Sequence, residues 1–133
     1  MAIKNIKGVV VDVVKKQIYV KEITYDDVKS DYLNEYYKVL NCSCFGIVKR
    51  KIGKYALDIY HDDEGLLKDE KKPAIITFRL GKIVEVIYGN VFIVSHKDSE
   101  TISLTDEEIK EVFKCCKVAF YGSEAHKVVV ASV

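Results

Sequence analysis

The side chains best suited to holding a charged ligand are grouped at Lys49, Arg50 and Lys51, with Lys54 and Tyr55 just behind them. A guanidinium pairs bidentately with phosphate and lies flat on aromatic rings. Together with Arg79 and the tyrosines Tyr36 and Tyr37, this cluster therefore has the side-chain types that a nucleotide-like anion needs. Lysines on an exposed strand also deter edge-to-edge pairing, so edge protection is a second reading of the same residues. Both readings stay open from the sequence.

Other reactive groups lack the arrangement that chemistry requires. His61, Asp62, Asp63 and Glu64 stand in a row, whereas hard cations are held by carboxylates spaced so that they converge; the row reads as a solvated loop. No G-x-S-x-G elbow occurs. Ser123 sits in a Tyr-Gly-Ser-Glu turn without a base partner, and His126 begins a predicted strand. The glycines stand singly, with no phosphate-cradling pattern. Cys42 and Cys44, and the vicinal Cys115 and Cys116, match neither a zinc knuckle nor a disulfide framework, and they read as free thiols. The expectation is a protein with no catalytic residue, metal or cofactor.

The chain has 133 residues, 49% of them hydrophobic and 11% aromatic, with 21 Lys+Arg against 20 Asp+Glu. That is enough apolar material for one domain, residues 1–133, with its own core. The near-zero net charge provides no overall field for nucleic acid. No apolar run approaches the roughly 20 residues that span a bilayer, and Met1 to Gly8 contain no apolar signal segment. A cytoplasmic protein is expected.

The elements that must position these groups follow from periodicity. Gly8 to Val14 and Ile18 to Ile23 flank Lys15-Lys16 as a hairpin. Thr24, Asp26 and Asp27 precede apolar residues at helical spacing, which predicts a helix over about 26–40. Cys44 to Arg50 and Lys54 to Tyr60 form a second hairpin with a basic tip, and the alternation along 55–60 predicts one buried and one wet face. After a polar stretch, Ala74 to Leu80 and Ile83 to Ser95 are extended, with a bend at Tyr88-Gly89-Asn90. Leu104-Thr105 before Asp106-Glu107-Glu108 is a capping box with a hydrophobic staple, opening a helix over about 105–117 whose stripe is Ile109, Val112, Phe113 and Cys116. His126 to Val133 is a last strand, suited to pair with the N-terminal hairpin or another subunit. The order predicts an α+β fold, mainly antiparallel, with two principal helices.

Three stretches resemble a family of small proteins encoded by phages and other bacterial mobile elements, domain of unknown function 3846. They are DDEGLLKD (Asp62 to Asp69), GNVFIVS (Gly89 to Ser95) and ISLTDEEI (Ile102 to Ile109), and VVVD before the lysine turn is also similar. Where the family tends to continue EGLLK with Leu-Pro-x-Asn, this chain has Asp69-Glu70-Lys71-Lys72-Pro73. A site formed by that segment would be altered here. The resemblance covers most of residues 8–113 and supplies no catalytic residue. It implies an accessory protein of the bacterial cytoplasm.

Two functions fit. One is sequestration of a small nucleotide-like ligand to counter host defence, using Lys49, Arg50, Lys51, Tyr55, Arg79, Tyr36 and Tyr37. The other is a protein-binding inhibitor or adaptor of a host defence factor, acting through a sheet edge or an aromatic surface. Assembly into a homodimer or higher oligomer is expected from the β-branched strands, and nucleic acid and membrane are not expected partners.

Overall fold

Runs of β-branched residues separated by short polar turns fold here as successive hairpins. The computed structural model describes residues 3–26, 28, 33–65 and 71–133. The first hairpin joins β1 (Ile3–Asp12) to β2 (Gln17–Asp26) in unbroken antiparallel register from Ile3↔Asp26 to Asp12↔Gln17. Asp12 shapes its turn, its Oδ1 accepting from the amides of Val14 at 3.1 Å and Lys15 at 3.0 Å. The helix α1 (Asn34–Leu40) follows, then β3 (Phe45–Ile52), β4 (Tyr55–Asp62), β5 (Pro73–Arg79), β6 (Lys82–Tyr88), β7 (Val91–Lys97), β8 (Glu100–Ile102), α2 (Asp106–Lys114), β9 (Cys116–Tyr121) and β10 (Glu124–Ser132). The fold is α+β, as expected, and its pairings are antiparallel except for β10 against β5.

The strand order is β2-β1-β7-β4-β3-β10-β5-β6, with β8 on β7 and β9 on β10. Val9 and Val11 of β1, near one end of this order, share a core with Ile75 of β5 and Ile87 of β6 at the other. Lys16 at the β1–β2 turn is ion-paired with Glu124 of β10, which a flat sheet in this order would hold four strands away, so the sheet curls toward closing its inner face. Val112 of α2 fills part of that interior. A second core lies on the outer face, where Tyr36 and Leu40 of α1 cover Ile6, Val10, Ile23, Tyr60, Phe92 and Val94. Helix α1 has only seven residues, too few to be stable alone, and those two anchors hold it. No helix among the described residues is long and apolar enough to cross a membrane.

Several expectations need correction. The helix predicted over 26–40 is confined to Asn34–Leu40; Asp26 ends β2, and residues 27 and 29–32 lie outside the described residues. Pairing along the whole of β1 outweighs the helix-start character of Asp26, whose Oδ1 accepts from the Val28 amide in a turn instead of capping a helix. The late helix ends at Lys114, because Cys116 leaves the apolar stripe to open β9 opposite Val129. The last strand pairs with β9, β5 and, at Ser132, β3, so it is interior and not an edge offered to the N-terminal hairpin or a second subunit. In β4 the supposedly wet face carries Tyr60 and Asp62, both buried, because α1 covers it.

The capping box is present as predicted: Thr105 Oγ1 accepts from the Glu108 amide at 3.2 Å, and Glu108 Oε1 accepts from the Thr105 amide at 2.9 Å. Leu104 beside it is buried. Replacing an N-cap Thr by Ala costs about 1 kcal/mol. Thr105→Ala is therefore expected to lower the unfolding free energy by that amount, read as a lower urea midpoint with an unchanged m-value; an unchanged midpoint would mean that the cap contributes nothing.

Candidate functional site

The basic hairpin is divided between the two faces of its strand. Arg50 lies opposite Leu57, on the inner side, whereas Lys49 and Lys51 lie opposite Asp58 and Ala56, on the outer side. The Arg50 fork is closed on Glu85 of β6, Nε donating to Oε1 at 2.9 Å and Nη2 to Oε2 at 2.7 Å, while Nη1 donates to the Lys49 carbonyl at 2.7 Å. Buried Thr77 adds a hydroxyl to Glu85 at 3.3 Å. These hydrogen bonds raise the Arg50 pKa and lower that of Glu85 from its ordinary 4.5. A phosphate at Arg50 would first have to displace a carboxylate held by both ends of the fork.

The remaining predicted residues are also separated. Tyr36 is 2% exposed, stacks on Tyr60 at 4.5 Å between ring centroids and shares a 2.8 Å hydrogen bond with the Tyr25 hydroxyl. Burial drives its hydroxyl pKa up, and its role is in the core. Tyr37 is half-buried, 5.2 Å from the ring of Phe45. Phe45 and Lys51 are six residues apart on β3, about 20 Å at strand rise. Lys49, Lys51 and Arg79 are exposed, and Tyr55 is half-buried under the ammonium of Lys54, 5.6 Å from its ring centroid. Arg50 thus faces inward, Lys49 and Lys51 face outward and Tyr36 lies in the outer core, so these residues do not converge on one point.

A concave surface does form at the C-terminal end of α1. There the amides of Asn41 and Cys42 donate back to the carbonyls of Lys38 and Tyr37, and Asn41 takes the left-handed conformation, φ 51°, that asparagine tolerates. Three hollows meet at Asn41. The floor, about 270 Å³, is lined by Val13, Val14, Leu40, Gly65, Lys72, Gly89 and Asn90. On the hairpin side a hollow of about 480 Å³ is bordered by Lys15, Lys21, Lys38 and Tyr19, with Asp12 and Glu35. On the other side, about 490 Å³ lies among Tyr37, Cys42, Ser43, Asp62 and Glu64.

Three of the stretches singled out in the sequence build this floor. VVVD ends at the hairpin turn, where the Val13 amide donates to Asn90 Oδ1 at 2.9 Å. The Asp62 amide donates to the Asn90 carbonyl at 3.3 Å, joining DDEG to GN. A Cβ on Gly65 would collide with the Tyr88 carbonyl, and one on Gly89, at φ +90°, would lie 3.2 Å from Asp62 Cβ. Both glycines are required by this close approach. The fourth stretch, ISLTDEEI, caps α2 instead.

Chemically the hairpin-side hollow is mixed, with three ammonium groups against two carboxylates. Lys38 is 3.8 Å from Glu35, while Lys15 and Lys21 have no ion-pair partner among the described residues. Tyr19 is 36% exposed, and its pKa is raised by burial and by Asp12. Sequence reading passed over Lys15, Lys21 and Lys38 because they stand apart along the chain; the positive-charge cluster it chose was local. His61 is half-buried, Asp62 buried, and Asp63 and Glu64 exposed, so the acidic row does not form one shell. Burial raises the thiol of Cys116, to about 11, and that of Cys115.

Because Glu85 is depressed in the folded chain, its pair with Arg50 stabilises fully above the unfolded value near 4.5 and is lost as pH falls through the folded value. Glu85→Gln is expected to cost on the order of 1 kcal/mol at pH 7, discounted for partial exposure, with the difference from wild type shrinking below about pH 4.5. Denaturant titrations at several pH values would show this; a pH-independent difference would mean that charge is not the cause.

A family model described as Domain of unknown function (DUF3846) matches residues 6–117. No curated protein and no solved structure matches the chain.

Proposed function

Starting from the fact that the chain belongs to the family of domain of unknown function 3846, we propose that it is a non-catalytic binding protein for a small anionic, nucleotide-like ligand, held in the hollow beside Asn41. The observation that carries this is the convergence of Lys15, Lys21 and Lys38 with Tyr19 on one concave surface of about 480 Å³, within the size range of small-molecule sites. Ammonium groups on flexible stems can follow a phosphate. An aromatic face stacks a base for about 1–3 kcal/mol in single-stranded nucleic-acid complexes, the nearest analogy. Asp12 and Glu35 at the rim suit the hydroxyls and ring N–H groups of a nucleoside, which donate hydrogen bonds, and disfavour a bare polyphosphate. The setting is that of a phage or mobile-element accessory protein in the bacterial cytoplasm, where withholding such a ligand would blunt a host defence that signals with it.

The competing reading is an inhibitor that masks a host protein. Protein incubated with a nucleotide-signal extract from infected cells, repurified, heat-denatured and examined by mass spectrometry separates the two. The expected result is release of a nucleotide-like species, strongly reduced by Lys15→Glu, Lys21→Glu and Lys38→Glu together and retained by Lys49→Glu with Lys51→Glu. No released ligand, together with one stoichiometric host protein in a pull-down, would replace sequestration by the inhibitor reading.

A further inference from the structure

Four strands have a single partner among the described residues, and two of them, β2 and β9, flank one groove. Among the described residues β9 pairs only with β10, and β2 only with β1. Alternate amides and carbonyls of such a strand point away from its one partner and can receive another. Between these edges lies a groove of about 490 Å³, with Ile18 of β2 on one wall, Cys116 and Val118 of β9 on the other, and Phe113 of α2 at its end. Val118 is 63% exposed, and Phe120, on the same face of β9 by the strand alternation, is 75% exposed. This is the inner face of the curled sheet, since Cys116 lies opposite core residue Val129 and Ile18 opposite core residue Val11. Apolar side chains that continue a core are thus left facing solvent.

The charges bordering the groove are of one sign. Lys117 and Lys127 line it, no carboxylate does, and neither lysine has an ion-pair partner among the described residues. A second copy docking edge to edge would set lysine near lysine. An acyl chain would need an enclosing tunnel, and this groove is open along its length. An extended peptide fits this edge: its backbone continues the ladder on β9, its apolar side chains lie beside Val118 and Phe120 on one face, and the carboxylates that alternate with them lie beside Lys117 on the other. We propose that the open edge of β9, with the groove it shares with α2 and β2, receives an extended segment of another protein in which apolar residues alternate with acidic ones. The ion pair between Lys16 and Glu124 links the β1–β2 turn to the start of β10. This surface shares β2 with the hollow at Asn41 but lies on the opposite face of that strand, Ile18 facing inward and Tyr19 outward, and neither proposal needs the other.

The probes are end-blocked, fluorescein-labelled peptides Glu-Val-Glu-Val-Glu-Ile and Lys-Val-Lys-Val-Lys-Ile, and a version of the first with proline at its third position, titrated with the full chain and read by fluorescence anisotropy. The acidic peptide is expected to bind at least roughly tenfold more tightly than the basic one, and proline to abolish binding by removing a ladder donor. In the variant carrying Lys117→Glu and Lys127→Glu, both exposed positions, the preference is expected to reverse. That reversal is a gain of binding, which a misfolded protein could not give. Absence of binding by either peptide, or an acidic preference that survives the charge reversal, would overturn the proposal. So would concentration-dependent dimerisation, seen by sedimentation and abolished by Phe120→Glu, because the occupant would then be a second copy.

Discussion

The structure depends on one constraint: β7 has no solvent side along most of its length. Val91, Phe92, Ile93, Val94 and Ser95 are all buried in sequence, with Val91 and Ile93 facing the inner core and Phe92 and Val94 the outer one. A strand buried on both faces needs cover on both, and the chain supplies it by curling the sheet on one side and laying α1 on the other. Gly8 is part of the same constraint, because a Cβ there would strike the Ile93 carbonyl and lie 2.8 Å from the Phe92 ring and from Val94 Cγ1. The tyrosine stack of Tyr36 on Tyr60, with Tyr60 bonded to Thr101 at 2.7 Å, locks the outer cover to the sheet.

The location of the hollow follows from that arrangement. β1, β4 and β7 run side by side through the double core, and the end of β1, the end of β4 and the start of β7 emerge together. Val13, Asp62 and Asn90 meet there, and Asn41 arrives because α1 must end over the same strands. The backbone is tightly packed at Gly65 and Gly89, whereas Lys15 and Lys21 at the rim have no ion-pair partner among the described residues. Such a site has a firm floor and adaptable charge, a combination suited to binding more than to chemistry that needs fixed groups.

Much of this was legible in the sequence because it rests on local pattern. The hairpins announced themselves by alternation and short turns, the bend at 88–90 by Gly89-Asn90, and α2 by Thr105 and Glu108, whose reciprocal bonds span three residues. What escaped is long-range. The parallel pairing of β10 with β5 joins Val129 to Ile75, and no periodicity encodes which distant strand a last strand will choose. Arg50 looked available because Glu85 is 35 residues away in the chain, and Tyr36 looked like a ligand ring because the sequence does not show Tyr60 beneath it. Lys15, Lys21 and Lys38 were visible but unconnected until the β1–β2 turn and α1 were placed side by side.

The central claim is that the ligand enters the hollow at Asn41 and not the basic hairpin. Amide NMR of the isotope-labelled chain titrated with ADP as a probe addresses it directly, because the two places are separate sets of resonances. The account predicts progressive shifts at Tyr19, Lys38, Asn41 and Asn90, with Lys49 to Tyr55 unmoved. Shifts confined to Lys49 to Tyr55, or no shift anywhere at millimolar ADP, would contradict it.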